Sequence, residues 1–134
     1  MRNKKDTYIS KEDLIKVIAD FIEMGHIENI AAMFRQDKEN YLLCGDLISD
    51  ERYMVRIGMA VLFEELSRCN PHDLPLAIPS LLAKLRSETN YVRGDAATLL
   101  GIIGTDEARE PLKSLLNDPD RQVVEIVQDI LACP

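Results

Sequence analysis

The sequence has no tryptophan, and aromatic residues make up only 5% of its 134 residues. Its apolar side chains are mainly Leu, Ile, Val, Ala and Met, a mixture that suits packed helices better than sheets. No apolar run approaches the ~18 residues that a membrane-spanning helix needs. The charged N-terminus is not followed by the apolar segment of a secretory leader. These absences predict a soluble, helical protein.

Basic residues are in the minority. Sixteen Lys and Arg stand against 23 Asp and Glu, which gives a formal net charge of −7. Contacts to phosphate need a basic surface, so we expect no nucleic-acid partner. The same charge argues, less strongly, against an anionic membrane as partner. An acidic chain suits a basic or neutral protein partner.

Cysteine and histidine are also scarce. Cys44, Cys69 and Cys133 form no CxxC pair, so neither a disulfide framework nor a zinc knuckle is predicted. Reduced thiols fit a cytoplasmic location, and two histidines exclude a multi-histidine metal site. The segment Cys69-Asn70-Pro71-His72-Asp73 holds a thiol, an imidazole and a carboxylate, but too few ligands for zinc. We interpret it as a loop between repeats, and leave a chemical role for it open.

The motifs of common enzymes are missing. The chain contains no GxxxxGK[ST], GxGxxG, GxSxG or HExxH. Glu64 and Glu65 are adjacent, but neighbouring side chains on a helix diverge, so they cannot share a proton as a catalytic pair. We therefore predict no catalytic residue, no cofactor and no metal site.

What the sequence does contain is an internal repeat. Val55, Val92 and Val123 are each followed by apolar residues four, seven and eight positions later. Apolar residues also stand eleven and seven positions before each valine. Self-similarity with a period of roughly 30–40 residues is typical of helical solenoids, in which each unit buries its apolar face against its neighbours.

The repeat divides one domain, residues 1–134, into helix pairs separated by polar turns. Residues 1–9 are expected to fray, and residues 10–36 to form a degenerate capping pair. Hairpins that follow the pattern are predicted over 38–68, 74–103 and 106–132. Turns such as Ser87-Glu88-Thr89-Asn90 are rich in residues that cap helices.

Three stretches carry a resemblance to a known family: Ala77-Ile78-Pro79-Ser80-Leu81, the run from Val92 to Gly101, and the run from Glu110 to Asp120. They resemble the HEAT repeat, in the short bacterial form also called phycobilisome-lyase-type. The match is best over 74–132, less good over 38–68 and poorest over 10–36, and Val124 stands where the family usually has Arg. The resemblance implies an all-α, right-handed solenoid of antiparallel helix pairs with about eight helices. First helices would lie on the convex side and second helices on the concave side.

Second-helix positions that the core does not use would then line the concave face. Nine of them are predicted to contact a partner: Ile57, Val61, Glu64, Glu65, Asp95, Thr98, Ile102, Glu125 and Asp129. Gly94 and Ile126 complete the same face. Aliphatic residues among carboxylates predict a shallow groove for a basic helix or peptide, although a merely solvated face is the alternative. Arg56 and Arg93 are predicted to form a structural ladder, in which each caps carbonyl groups or pairs with an acidic turn residue such as Asp50, Asp118 or Asp120. A role in contacting a ligand is the alternative.

The leading prediction is a non-enzymatic scaffold or adaptor that binds another protein through its concave face. The resemblance leaves two alternatives: a lyase- or chaperone-like factor for a cofactor-bearing protein, and a HEAT-like nucleic-acid enzyme, which the acidic face disfavours. Ile126, Val127, Ile130 and Leu131 would form an apolar edge on the last helix. That edge suggests a homodimer that pairs through the C-terminal helix.

Overall fold

The structure, a computed structural model, describes residues 9–133 of the chain. All regular structure in this range is helical, which confirms the predicted all-α class. The α-helices are α1 (Lys11–Glu23), α2 (Ile27–Gln36), α3 (Cys44–Ile48), α4 (Tyr53–Cys69), α5 (Ile78–Lys84), α6 (Asn90–Ile103), α7 (Asp106–Arg109) and α8 (Arg121–Ala132). Of the segment predicted to fray, residues 1–8 lie outside the described range. No helix within residues 9–133 combines the length and the apolar character needed to cross a membrane.

The first helix of each of the last three pairs is partly 3₁₀. The 3₁₀ segments Lys38–Leu43 and Leu74–Ala77 run directly into α3 and α5, and Glu110–Asn117 continues α7. Pro75 and Pro111 lie in the first turns of two of these segments, where a missing N–H costs little. Each 3₁₀ segment and its α-helix together form one helix of a pair, so the described residues contain four pairs.

Short polar side chains fix the starts of several helices. The hydroxyl of Ser10 caps α1, that of Thr105 caps α7, and the carboxylate of Asp120 caps α8, each by accepting from a backbone N–H of the first turn. Gly104 ends α6 at a φ of 76°, a left-handed conformation that favours glycine.

The helix pairs stack in two rows. The second helices α4, α6 and α8 lie side by side, and α3 lies beside α5 in the other row. Val55, Val92 and Val123 each occupy the third position of a second helix and are buried. The repeat in the sequence therefore corresponds to a repeat in the packing, and the molecule is a HEAT-type α-solenoid.

The first pair packs differently from the others. Both α1 and α2 pack against the second helix α4. In a regular stack, one of them would instead extend the row of first helices and the other the row of second helices. Gly58 permits this close approach, because a Cβ at that position would collide with the Cγ2 methyl of Ile22 on α1. The first pair, whose sequence follows the repeat pattern poorly, therefore covers the exposed side of the second pair with both of its helices.

The end of the last helix is tied to the helix before it. Arg109 donates from Nη1 to the carbonyl oxygen of Ile130 at 3.1 Å and from Nη2 to that of Cys133 at 2.7 Å. The Ile130 carbonyl also accepts from the backbone N–H of Cys133 at 3.2 Å, so Arg109 adds a second donor there and supplies a donor to the Cys133 carbonyl beyond the end of the helix. One cation therefore caps the C-terminus of α8.

Candidate functional site

The second helices α4, α6 and α8 border an open groove with a volume of about 520 Å³. Its lining residues are Ala60, Glu64 and Ser67 of α4, Thr98, Gly101 and Ile102 of α6, and Ile126, Asp129 and Ile130 of α8. All of them follow the first turn and a half of their helices, so the groove lies toward the C-terminal ends. We call this surface the groove from here on.

The structure brings together four of the nine residues predicted to face a partner. Glu64, Thr98, Ile102 and Asp129 line the groove, and the other five lie on the same helices outside it. Those five are Ile57 and Val61, which are exposed, Glu65 and Glu125, which pair with Arg68 and Arg121 of their own helices, and Asp95, which pairs with Arg56.

Sequence reasoning missed several residues that line the groove. Ala60 and Ser67 stand four residues before and three after Glu64, so helical spacing alone could have identified them. Gly101 has no side chain, so a search for apolar or charged residues does not identify it. Ile130, which the sequence assigned only to an apolar edge, also faces the groove, as does Ile126, which the sequence placed both on that edge and on the concave face. Pairing of two chains through that edge stays a prediction.

The polar atoms of the groove are mainly hydrogen-bond acceptors. Glu64 and Asp129 form no ion pair with any residue in the range 9–133. The hydroxyl of Ser67 donates to the carbonyl oxygen of Glu64 at 2.8 Å, and that of Thr98 donates to Gly94 at 3.0 Å, which leaves oxygen lone pairs toward the groove. The nearby C-termini of α4 and α6 add partial negative charge, whereas the Arg109 cation offsets that of α8. The groove therefore favours a cationic group carried on an apolar stem.

Arg56 lies nearer the N-terminal ends of α4 and α6, outside the groove. Its guanidinium is centred 4.0 Å from the ring centroid of Tyr91 and 5.5 Å from that of Tyr53. Nη1 donates to Oδ2 of Asp95 at 3.3 Å, so the partner is a helix residue of the next pair and not the turn carboxylate that the sequence suggested. Burial raises the pKa of Asp95, and the Arg56 charge opposes that shift. We call this cluster the Tyr–Arg stack.

An arginine bridges each junction between consecutive helix pairs. Arg93 donates to both carboxylate oxygens of Asp118, at 2.8 and 2.9 Å, and to the carbonyl oxygen of Ser87 at 2.8 Å. Arg56 joins the second pair to the third. Arg52, which the sequence did not single out, joins the second pair to the first, through Asp20 at 2.9 Å and Glu23 at 2.8 Å. The junctions are thus fixed by charge as well as by apolar packing.

Acid is expected to weaken these junctions. The Arg93 guanidinium holds the pKa of Asp118 below its ordinary value, as Arg52 does for Asp20 with help from Lys16. A carboxyl with a lowered pKa in the folded state stabilises the fold fully above its unfolded pKa of about 3.9, and this contribution is lost as the pH falls through the folded pKa. The free energy of unfolding should therefore drop below about pH 4. In Asp118→Asn, urea titrations between pH 2 and pH 6 should give a shallower drop, and an unchanged slope would contradict this account.

The loop around Cys69 is held by polar contacts. Nη1 of Arg35 lies 3.2 Å from Sγ of Cys69, and the amide of Asn70 donates to Asp73 at 3.1 Å. The same amide donates to the hydroxyl of Tyr41 at 3.3 Å. Within residues 9–133, no three His, Cys, Asp or Glu side chains are grouped so that they could hold a metal ion. These contacts hold the end of α4 and the loop that follows it against α2 of the first pair and against Tyr41 of the second pair.

Comparisons with known proteins give one family and one curated relative. The model of the HEAT-repeat family matches residues 43–131. Deoxyhypusine hydroxylase of Candida albicans is 32% identical over 117 residues, an alignment that covers 83% of this chain and 35% of the hydroxylase. The chain therefore spans about a third of the length of that relative. No solved structure matches it significantly.

The relative corrects one expectation from the sequence. A non-enzymatic scaffold was predicted, but the curated relative is an enzyme, and the prediction that the chain is not one is wrong on that finding. The error has a physical origin: the repeat pattern records buried and turn positions, which are alike whether a repeat protein catalyses or only binds. The predicted HEAT repeat is confirmed, because the family model covers about two thirds of the chain and the fold is a stack of helix pairs. The protein belongs to the HEAT-repeat family.

Proposed function

We propose that the protein takes part in an enzymatic modification of another protein, and that its groove binds a basic segment of that substrate. The observation that carries this proposal is the placement of Glu64 and Asp129 on opposite walls of a groove with an aliphatic floor, two carboxylates that form no ion pair within the described residues 9–133. The similarity to a hydroxylase supports the enzymatic setting. Binding of the substrate is the step that we assign to this chain.

The chemistry of the groove fits lysine or arginine side chains. Ile102, Ile126 and Ile130 offer apolar surface to the methylene stem of such a residue, while its charged end reaches a carboxylate. At 4 Å, such an ion pair is worth about 1 kcal/mol in bulk water and about 4 kcal/mol at the effective dielectric constant typical of protein surfaces. The net charge of −7 adds long-range attraction for a basic partner.

The residues of this chain do not fit the chemical step of a hydroxylase. Hydroxylation of carbon normally relies on a metal or an organic cofactor, and a common iron site uses two histidines and a carboxylate. The ring of His26 packs against Phe21 at the first helix pair, whereas His72 lies in the loop after α4. No cluster of candidate ligands occurs within residues 9–133. We therefore place no catalytic step on these side chains.

Reversal of the two groove charges should abolish most of the binding of a basic peptide. We expect Glu64→Lys/Asp129→Lys to bind a synthetic lysine-bearing amphipathic helix at least about tenfold more weakly at low salt, because two attractions become repulsions. Fluorescence anisotropy of the labelled peptide measures the affinity. For the unmodified protein, the affinity should fall as salt rises, since exposed charges are screened.

The matched control is Glu12→Lys/Glu28→Lys, which changes the net charge equally on exposed positions of α1 and α2. This variant should bind the peptide nearly as well as the unmodified protein. An equal loss in both double variants would mean that only net charge matters, and the groove would no longer be the site. Equal melting temperatures establish that all three proteins are folded.

A further inference from the structure

We infer that the binding surface extends from the groove to the Tyr–Arg stack, and that the partner it fits is an amphipathic helix with an apolar end and a basic end. This inference rests on the proposed function and specifies the form of the bound segment. The aromatic end would receive the partner's apolar side chains, and Glu64 and Asp129 would receive its lysines or arginines.

The surface between the two ends is continuous. Tyr53, Ile57 and Glu64 follow the spacing of one face of α4, and Tyr91, Thr98 and Ile102 follow the same spacing on α6. Tyr53 is 63% exposed, Ile57 38% and Tyr91 37%, so no element among residues 9–133 covers this stripe. Exposed apolar side chains grouped in this way mark an interaction surface more often than isolated ones do.

The aromatic end is already ordered before a partner arrives. Arg56 packs against both tyrosine rings, and its side chain is only 13% exposed. Asp95 neutralises the Arg56 charge, so an apolar partner would not have to bury an unpaired cation. Tyrosine and arginine are enriched among the residues that dominate binding energy, and rings held in place lose little freedom on binding.

The distance between the two ends sets the length of the partner. Tyr53 and Glu64 are eleven residues apart on α4, which corresponds to about 16 Å along a helix, or three turns of a partner lying lengthwise. A helix satisfies its own backbone hydrogen bonds and presents apolar and charged side chains at a fixed spacing on one face, so it can match both ends of the surface at once. An amphipathic helix is therefore the occupant that the stripe favours.

A pair of synthetic peptides tests the inference. The first is a helix of about 15 residues with two leucines at one end and two lysines three turns away on the same face. The second has the same composition, with the lysines placed beside the leucines. At low salt, the protein should bind the first peptide at least about tenfold more tightly. In Tyr53→Ser, the affinity for the first peptide should fall about tenfold, while Leu42→Ser, a change at an equally exposed apolar residue before α3, should leave it unchanged.

The outcomes separate this inference from the proposed function. If Tyr53→Ser binds normally while Glu64→Lys/Asp129→Lys binds weakly, the inference is overturned and the binding of a basic segment in the groove remains. If neither variant changes the affinity, both are overturned. Equal affinity for the two peptides would also overturn the inference, since the spacing would then play no part. Tyr53 is mostly solvated, so the melting temperature of Tyr53→Ser should match that of the unmodified protein.

Discussion

Replacement of Gly45 by alanine is expected to lower the free energy of unfolding by roughly 3 kcal/mol, the upper part of the range for overpacked interiors. An ideal Cβ on Gly45 would lie 2.5 Å from the carbonyl oxygen of Ser80 and 3.2 Å from its carbon. Those atoms are backbone, so α3 and α5 would have to move apart. The same movement would lengthen the bond from the Gly45 N–H to Oγ of Ser80, now 3.2 Å. Denaturant unfolding at neutral pH measures the loss.

Gly94→Ala is the informative comparison, because the obstacle there is different. Its new Cβ would lie 3.2 Å from the Cδ1 methyl of Ile126, the far end of a side chain that can move by rotation. We expect a loss of about 1 kcal/mol, at the lower end of the same range. Equal losses in the two variants would show that backbone contact between α3 and α5 is not the limiting factor, and an unaffected Gly45→Ala would refute the close approach itself.

Replacement of Arg93 by methionine is the second change for which we expect a large effect, a loss of about 3 kcal/mol in the free energy of unfolding. The side chain of Asp118 is 4% exposed, and without Arg93 its carboxylate would be buried without a cationic partner. Arg93→Lys should fall in between, since an ammonium group cannot make the two parallel bonds at 2.8 and 2.9 Å together with the bond to Ser87. Urea denaturation of the three proteins provides the comparison.

Arg121→Met is the control for Arg93→Met. Arg121 also pairs with a carboxylate, that of Glu125 at 3.3 Å, but its side chain is 90% exposed. Exposed pairs contribute between about 0 and 1 kcal/mol, so this variant should melt close to the unmodified protein. Similar losses at both arginines would indicate that burial does not decide the strength of these pairs.

The stacking of the fold could be predicted from the sequence because burial repeats with the same period as the chain. Val55, Val92 and Val123 occupy equivalent positions in α4, α6 and α8, and hydrophobic spacing reports that directly. The packing of α1 and α2 on α4 could not be predicted, because the first pair lacks the repeat. The 3₁₀ character of the first helices was not predictable either, since 3₁₀ and α-helices place apolar residues at similar spacings.

The groove could be predicted in part. Glu64, Thr98, Ile102 and Asp129 were found as positions that the repeat core leaves unused, and helical spacing determines those positions. The partner of Arg56 was not predictable, because Asp95 belongs to the next helix pair and becomes its neighbour only once α4 and α6 pack together. The same holds for the two tyrosines, which lie 38 positions apart in the chain and flank one guanidinium in the fold.

The bonds from Arg109 to the end of α8 affect how the molecule opens. Within residues 9–133, α8 has a second-helix neighbour on one side only, α6, whereas α6 lies between α4 and α8. A helix at the end of a stack has neighbours on one side only, so α8 can detach while the remaining pairs stay folded. Arg109 resists that detachment through Ile130 and Cys133. Amide protons of α4 and α6, which have packed neighbours on both sides, are consequently expected to exchange with solvent most slowly, and Arg109 lowers the frequency at which the wall of the groove that carries Asp129 is lost.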